Sequence, residues 1–203
     1  MKWMCAFLLS ASVASADPVA VHRTAAEIFP DMPRLIISPA MMEDCGAGRR
    51  TNPNGFYCTS QNQIFLAEGA RARAQAAYEV AHLLGHAVQV KHGVADVALR
   101  EITRRRDEEA KLRGWVERQV NCIAGVLMAQ AGQPPIDLAS AFGEEPFADA
   151  HWGRFPVNQG PRVSIGLEAA QEWLDTGYAA GDVVVCAVGE FSSDLLVAAQ
   201  RSE

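Results

Sequence analysis

The chain has 203 residues, of which 49% are hydrophobic and 21% are charged, a composition typical of a folded globular protein. Its 24 acidic residues outnumber its 18 basic residues and give a net charge of −6 at pH 7. This balance disfavours nucleic acid and anionic membrane surfaces as partners, because both repel a negatively charged protein.

The first sixteen residues have the pattern of a secretory signal peptide. They contain one lysine, an apolar run over residues 3–13, and the small residues ASA at the end, which fit a cleavage site after Ala16. Cleavage would leave 187 residues, enough for one core-forming domain, and would change the net charge to −7 because Lys2 is lost. Export to the periplasm or the extracellular medium follows. A retained membrane anchor is the alternative, although the apolar run is shorter than the roughly 18 residues that a spanning helix needs.

Four cysteines remain after the predicted cleavage, namely Cys45, Cys58, Cys122 and Cys186. An even number of cysteines in an exported chain favours disulfides over free thiols. Two disulfides are therefore expected. Three pairings are open at this point, since sequence spacing alone does not choose between them.

The first third of the mature chain is predicted to form short elements and turns. Residues 23–28 are mildly helical, and residues 35–37 and 63–66 are short runs rich in apolar and β-branched side chains, which predicts strands. Residues 45–55 are rich in Gly, Asn and Pro, which predicts a loop between the two strands.

A first long helix is predicted over residues 70–91, where apolar residues follow helical spacing and form one buried face. The adjacent face carries Tyr78, His82, His86 and Gln89. After a break at Gly93, a second helical stretch has its clearest periodicity over residues 112–127 and ends at Gly132 and two prolines.

The charged run RRRDEEAKLR, residues 104–113, is predicted to be a solvent-exposed helix face. It places Asp107 one turn before Lys111 and Glu109 one turn before Arg113, which favours ion pairs along the helix.

The last third of the chain mixes loop and helix. Residues 133–160 are predicted to be mostly loop, residues 162–178 form an amphipathic helix, and residues 182–186 are predicted to be a terminal strand. No internal repeat is present in the sequence.

His82 and His86 can bind one metal ion, because one helical turn separates them and their side chains point to the same side. A tetrahedral zinc site needs further ligands from elsewhere in the chain. Glu117 on the second helix is the best candidate by residue type. Asn121, one turn further, could accept the free N–H of a ligating histidine. The structural alternative is a pair of packed histidines without metal.

Four stretches resemble, in the same order, four blocks of the bacterial putative neutral zinc metallopeptidase family. They are GFYCTSQNQIFL, AYEVAHLLGHAVQ, VERQVNCIAGV and PRVSIGLEAAQEWLDTGYAAGDVVVC, which begin at residues 55, 77, 116 and 161. The resemblance covers about residues 45–186. Because the first helix of that family carries an HExxH motif and the second an acidic one, the resemblance implies zinc bound by His82, His86 and Glu117.

The sequence departs from the family pattern at two positions. Leu83 stands where the family has its catalytic glutamate, and Asn121 stands where it has an aspartate. That glutamate takes a proton from the attacking water and passes it to the leaving amine, a role typically worth about 10²–10⁴ in rate. Leucine cannot supply it, so the resemblance implies a zinc site with impaired catalysis. Asn121 keeps a hydrogen-bond acceptor but lacks the negative charge that raises histidine basicity, which implies weaker metal binding.

Glu79 stands where the family block usually has an apolar residue, three positions before His82 and on the metal side of the helix. It is therefore a candidate for a displaced general base or an additional metal ligand. Its axial offset of about 6 Å from position 83 makes either role awkward. A salt-bridged or solvent-facing glutamate is the alternative.

Three other polar side chains carry weaker expectations. His151 and Tyr178 could stabilise an oxyanion in a zinc hydrolase, but ordinary packing or surface roles are the simpler interpretation. His92, just after the first long helix, is expected to be exposed.

The expected architecture is one zincin-like α+β domain over residues 17–203, with helices packed on a small mixed or antiparallel sheet. The favoured cysteine pairing is Cys45 with Cys58 and Cys122 with Cys186.

Three functions remain open, and the first is favoured. The protein could be a zinc-binding, catalytically impaired metallopeptidase-like protein that binds a peptide or protein in the inherited cleft. It could be an active zinc peptidase that uses Glu79 as a substitute base. It could also be an exported interaction protein without metal.

Overall fold

A computed structural model describes residues 16–48, 50–147, 149–153 and 164–201. The predicted signal peptide lies, except for Ala16, outside the described residues, and its cleavage stays a prediction. In chain order the described helices and strands are α1 (Pro18–Ile28), β1 (Arg34–Ser38), β2 (Gly55–Cys58), β3 (Gln63–Ala67), α2 (Glu68–Arg71), α3 (Ala76–Lys91), α4 (Val94–Arg104), α5 (Glu109–Gln130), α6 (Leu138–Phe142), β4 (Trp152–Gly153), α7 (Leu167–Ala180) and α8 (Asp194–Ala199).

The four strands form one mixed sheet in the order β1-β3-β2-β4. β1 is parallel to β3, β3 is antiparallel to β2, and β4 is parallel to β2. The strands predicted at residues 35–37 and 63–66 are confirmed as β1 and β3. β2 and β4 were not predicted, because four and two residues are too short for a period-two pattern to show. Their partners in the sheet define them.

The sheet packs on α3, which is the central helix of the protein. Every residue of α3 from Ala76 to Gln89 is buried, so this helix has no solvent-exposed face before its last turn. Ile64 and Leu66 of β3 belong to the same hydrophobic cluster as Val80 and Leu84 of α3. The predicted α+β class, with helices on a mixed sheet, is confirmed. The zincin label stays a prediction.

The second helical stretch is interrupted, which the sequence pattern did not predict. α4 ends at Arg104, a short 3-10 turn follows, and α5 begins at Glu109. Within this charged region, Arg113 Nε donates to Glu109 at 2.8 Å, as expected. The expected pair of Asp107 and Lys111 is wrong, since Lys111 Nζ lies 3.0 Å from a carboxylate oxygen of Glu108 instead.

The predicted strand at residues 182–186 is wrong. Val183–Val185 form a 3-10 turn that follows a left-handed residue at Gly181. The side chain of Asp182 accepts a hydrogen bond from the backbone N–H of Val184, which caps this turn. The run of valines gives an apolar, β-branched pattern, but the local caps bend the backbone out of an extended conformation.

α5 and α7 approach until their backbones touch, and two glycines allow this. A Cβ on Gly125 of α5 would lie 2.0 Å from the carbonyl oxygen of Leu174. A Cβ on Gly177 of α7 would lie 1.9 Å from the carbonyl oxygen of Cys122. Any larger residue at either position would separate the two helices.

The two disulfides join Cys45 to Cys58 and Cys122 to Cys186, which confirms the favoured pairing. The first links the loop before β2 to the end of that strand. The second fixes the C-terminal segment to α5. Disulfides are compatible with an exported protein. Within the described chain, none of the helices has the length and apolar character needed to span a membrane.

The disulfide between Cys122 and Cys186 is expected to contribute more stability than the other. It closes a separation of 64 residues, against 13 for Cys45 and Cys58. Loop-closure entropy then gives about 4 and about 3 kcal/mol respectively. Urea unfolding of the two double Cys→Ala variants would measure this order, and an equal or reversed order would contradict it.

Candidate metal centre

Two histidines of α3 form the base of the site. His82 and His86 lie one turn apart, and both are 1% exposed. Their rings stand 5.0 Å apart between centroids, at an interplanar angle of 73°. Because α3 is held by the sheet and the surrounding helices, these imidazoles are fixed before any ligand binds.

Gly85 brings α5 close to these histidines. A Cβ at this position would lie 2.8 Å from the carbonyl oxygen of Val120, so α3 and α5 are in close contact here. Glu117 lies almost one turn before Val120 on α5, so this close contact places its carboxylate next to the histidines. Its Oε1 lies 3.1 Å from His82 Nε2, and its Oε2 lies 3.7 Å from His86 Nε2.

A third histidine completes the group. His151 Nε2 lies 3.3 Å from His82 Nε2 and 3.0 Å from His86 Nε2. In the described part of the chain, His82, His86, Glu117 and His151 each offer one ligand atom, and these four atoms lie within 4.8 Å of one another. The structure therefore brings together the three candidate ligands implied by the resemblance and places His151 beside them.

This donor set suits zinc. Three imidazole nitrogens and one carboxylate oxygen are ligands that zinc takes in tetrahedral sites. In a tetrahedral site, bond lengths of about 2.0–2.2 Å place neighbouring ligand atoms about 3.3–3.6 Å apart. His151 Nε2 lies 3.3 and 3.0 Å from the two helix histidines, and the Glu117 oxygens lie 3.1 and 3.7 Å from them, which is close to that spacing. All four ligand atoms lie within 4.8 Å of one another, so small side-chain adjustments would bring them around one ion.

The electrostatics of the group also favour a cation. Burial lowers the pKa of His86 well below its usual value, helped by the neighbouring His151 and His82. Burial likewise lowers the pKa of His151, to about 4. For Glu117, burial raises the pKa and the nearby His82 and His151 lower it, and the net pKa lies below its usual value. Near pH 7 the site thus presents neutral imidazoles at these two positions and an ionised carboxylate, the protonation states that ligate metals.

Aromatic rings cover the two helix histidines. The ring of Phe147 stacks on His82 with centroids 3.9 Å apart and an interplanar angle of 12°. The ring of Trp152 stacks on His86 at 4.8 Å and 18°. These contacts restrict rotation of both imidazoles and limit the access of water to them.

Asn121 supports the site in a different way from that expected. Its side-chain oxygen accepts a hydrogen bond from the Tyr78 hydroxyl at 2.8 Å, and its Nδ2 donates to the backbone oxygen of Glu117 at 3.0 Å. The expected bond from a histidine N–H is not formed. The Nδ1 atoms of His82 and His86 are buried and have no hydrogen-bond partner among the described residues.

Leu83 and Glu79 lie outside the group of ligands. Leu83 is fully buried in the hydrophobic core, and a Cβ on Gly55 would lie 3.3 Å from its Cδ1, so its side chain packs on the start of β2. Glu79 is 2% exposed and accepts hydrogen bonds from Arg73 Nη2 at 2.6 and 2.7 Å. Burial raises the pKa of Glu79, and the facing Arg73 partly offsets that increase. The salt-bridged alternative for Glu79 is the one observed.

The remaining polar candidates have structural contacts. The Tyr178 hydroxyl donates to the backbone oxygen of Gln133 at 2.6 Å. His92 is half-buried, with its ring 5.8 Å from that of Phe29, so the expectation of an exposed side chain is wrong. The sequence suggests an oxyanion role for His151 and does not predict its position beside His82, His86 and Glu117. Its only sequence signal was its residue type.

An α+β protein with a buried three-histidine, one-carboxylate group belongs to the class of proteins that can hold a transition metal. A family comparison is more specific. The model of the putative neutral zinc metallopeptidase family matches residues 30–141, which is more than half of the chain, so the protein belongs to that family. A search of curated proteins found no match, and a search of solved structures found none either. The family and the donor group together support zinc as the cofactor. His151 lies beyond the matched residues.

The close contact at Gly85 generates a prediction. Gly85→Ala should lower the free energy of unfolding by about 1–3 kcal/mol and weaken zinc binding, because the added methyl group pushes α5 and Glu117 away from α3. Chemical unfolding and a competitive zinc titration would measure the two effects.

Gly69→Ala is the matched control, since a Cβ on Gly69 would meet nothing within 4 Å. If Gly85→Ala were as stable and bound zinc as tightly as Gly69→Ala, the close contact would not be what positions Glu117.

Proposed function

We propose that this protein is an exported, zinc-binding member of the family whose peptidase activity is impaired. The observation that carries the proposal is that the side chains able to hold zinc lie together while the residue at position 83 is apolar. His82, His86 and Glu117 hold the metal in this proposal. Leu83, buried against β2, has no group that can accept a proton.

When bound, zinc supplies a Lewis acid that polarises a carbonyl group and lowers the pKa of a water molecule. The residues of the chain must then move the proton. General acid–base catalysis contributes about 10²–10⁴ in rate, or roughly 3–5 kcal/mol of barrier. Without a base at position 83, that contribution is missing while metal binding remains.

Glu79 does not replace the missing base in this proposal. Its carboxylate is held by two hydrogen bonds from Arg73, and it is not among the atoms that converge in the described site. A general base must come within hydrogen-bond reach of the proton it removes. Release of the Arg73 pair would leave a buried carboxylate without its positively charged partner, which is unfavourable. A peptide or protein partner stays a prediction, since no described contact tests it.

Zinc content and peptide hydrolysis test the proposal together. The oxidised protein, purified without chelator, should contain about one zinc per chain, and His82→Ala should contain much less, because the loss of a direct ligand weakens zinc binding. His92→Ala is the matched control and should retain zinc. None of these proteins should hydrolyse a mixed peptide substrate faster than the same protein after treatment with chelator.

Each opposite result has a defined meaning. A parent protein without zinc would favour the metal-free interaction protein. Hydrolysis by the parent that chelator abolishes would overturn the impairment. If Glu79→Gln then removed that activity, Glu79 would be the substitute base.

Export is tested by the mature N-terminus. Asp17 follows the predicted cleavage site, and its side chain accepts hydrogen bonds from the N–H groups of Val19 and Ala20, so it caps α1. Mass spectrometry of protein from the native host should find a chain that begins at Asp17. A mass of 21.9 kDa, that of all 203 residues, would contradict cleavage.

A further inference from the structure

His151 comes to the metal centre from outside the two helices that carry the other ligands. It directly precedes the edge strand β4 and is 8% exposed. Its Nε2 contacts the Nε2 atoms of both His82 and His86 at 3.3 and 3.0 Å. Neither the family match, which ends at residue 141, nor the resemblance to the two helix motifs assigns it a role.

A backbone hydrogen bond fixes the proton on His151. Its Nδ1 lies 2.8 Å from the carbonyl oxygen of Asp149. Since a carbonyl oxygen can only accept, Nδ1 carries the hydrogen, and in the neutral ring the lone pair is on Nε2. That lone pair faces His82 and His86. A ligating histidine oriented in this way by its second nitrogen is the usual arrangement in metal sites.

The segment around His151 is attached to the sheet. The N–H of Tyr57 donates to the carbonyl oxygen of His151 at 2.8 Å, and the N–H of Thr59 donates to that of Gly153 at 2.9 Å. One residue earlier, the N–H of Asn52 donates to the carbonyl oxygen of Ala150 at 2.8 Å. These bonds place the imidazole where it meets the helix histidines without requiring any movement of the chain.

We propose that His151 is the fourth protein ligand of the zinc, so that the site is closed and the metal fastens residues 149–153 to α3. The inference rests on the zinc binding proposed above. Structural zinc sites have four protein ligands, whereas catalytic sites keep one position for water or substrate. With three imidazoles and Glu117 bound, no position is left for either. The impairment then has a second cause, independent of Leu83.

In a closed site the zinc would also stabilise the structure around β4. Among the described residues, the two-residue strand β4 lies at the edge of the sheet and pairs with β2 on one side only, so the sheet holds it through the hydrogen bonds of that side. A metal bond from His151 would join this edge strand to the central helix. Removing zinc should then loosen β4 first, while α3 and α5 keep their own packing.

X-ray absorption of the zinc-loaded parent protein is the deciding experiment, because it counts imidazole ligands without any substitution. We expect three imidazoles and a total of four ligands. The cobalt(II)-substituted protein should show the visible spectrum of a four-coordinate site, and added azide should leave that spectrum unchanged. Two imidazoles, or a spectrum that azide changes, would overturn the inference.

The His151→Ala variant provides the complementary test. Loss of a direct ligand should weaken zinc binding by about 100-fold or more, above the 10- to 100-fold typical of an outer partner. Its cobalt spectrum should respond to azide, and His92→Ala should behave as the parent. Unchanged zinc affinity in His151→Ala would overturn the inference.

Amide hydrogen exchange of the unmodified protein tests whether zinc holds residues 149–153 against α3. Removing zinc should speed exchange at the amides of Tyr57 and Thr59, which donate to the His151 segment, more than at amides within α5. Equal exchange with and without zinc would contradict the fastening role. A parent that binds no zinc would overturn the proposed function and this inference together, whereas zinc held through two imidazoles would overturn this inference alone.

Discussion

The close packing of α3 on α5 is the constraint on which the metal centre depends. Helices usually pack with their axes 8–10 Å apart, and the smaller distances require small residues at the crossing. Gly85 meets this requirement on α3, where the carbonyl oxygen of Val120 occupies the space that a side chain would take. The histidines lie on either side of Gly85 in the sequence. The glycine that allows α3 and α5 to approach therefore lies between the two histidines that Glu117 contacts.

The same device recurs where α5 meets α7. Gly125 and Gly177 allow direct backbone contact, and the disulfide of Cys122 with Cys186 fixes the chain that follows α7 to α5. α5 is thus held on two sides by contacts that tolerate no added volume. Its rigidity matters for Glu117, because a carboxylate that must stay 3.1 Å from His82 and 3.7 Å from His86 cannot lie on a mobile helix.

Burying three imidazoles and a carboxylate is unfavourable unless the polar atoms find partners. Here the Nε2 atoms of the three histidines and the oxygens of Glu117 face one another, and aromatic rings stack on His82 and His86. The Nδ1 atoms of His82 and His86 have no hydrogen-bond partner among the described residues. A divalent cation would offset the charge of Glu117 and use the lone pairs that converge on one point. This arrangement fits a site built to retain a metal. The position that a peptidase would give to its base belongs instead to the hydrophobic core, since Leu83 packs against the sheet with the apolar residues of α3.

The sequence by itself determined the elements with a strong local signal. The helix that carries His82 and His86, the strands β1 and β3, and the identity of Glu117 as a ligand candidate follow from periodicity, residue type and family resemblance. What only the tertiary structure decided depends on contacts between distant parts of the chain. β2 and β4 are too short to show a sequence pattern. The 3-10 turn at Val183–Val185 depends on a side-chain cap. Glu79 forms a salt bridge with Arg73, which the sequence did not single out as its partner. His151 is the clearest case, because 65 residues separate it from His86 and the packing of the sheet on α3 brings their nitrogens to 3.0 Å.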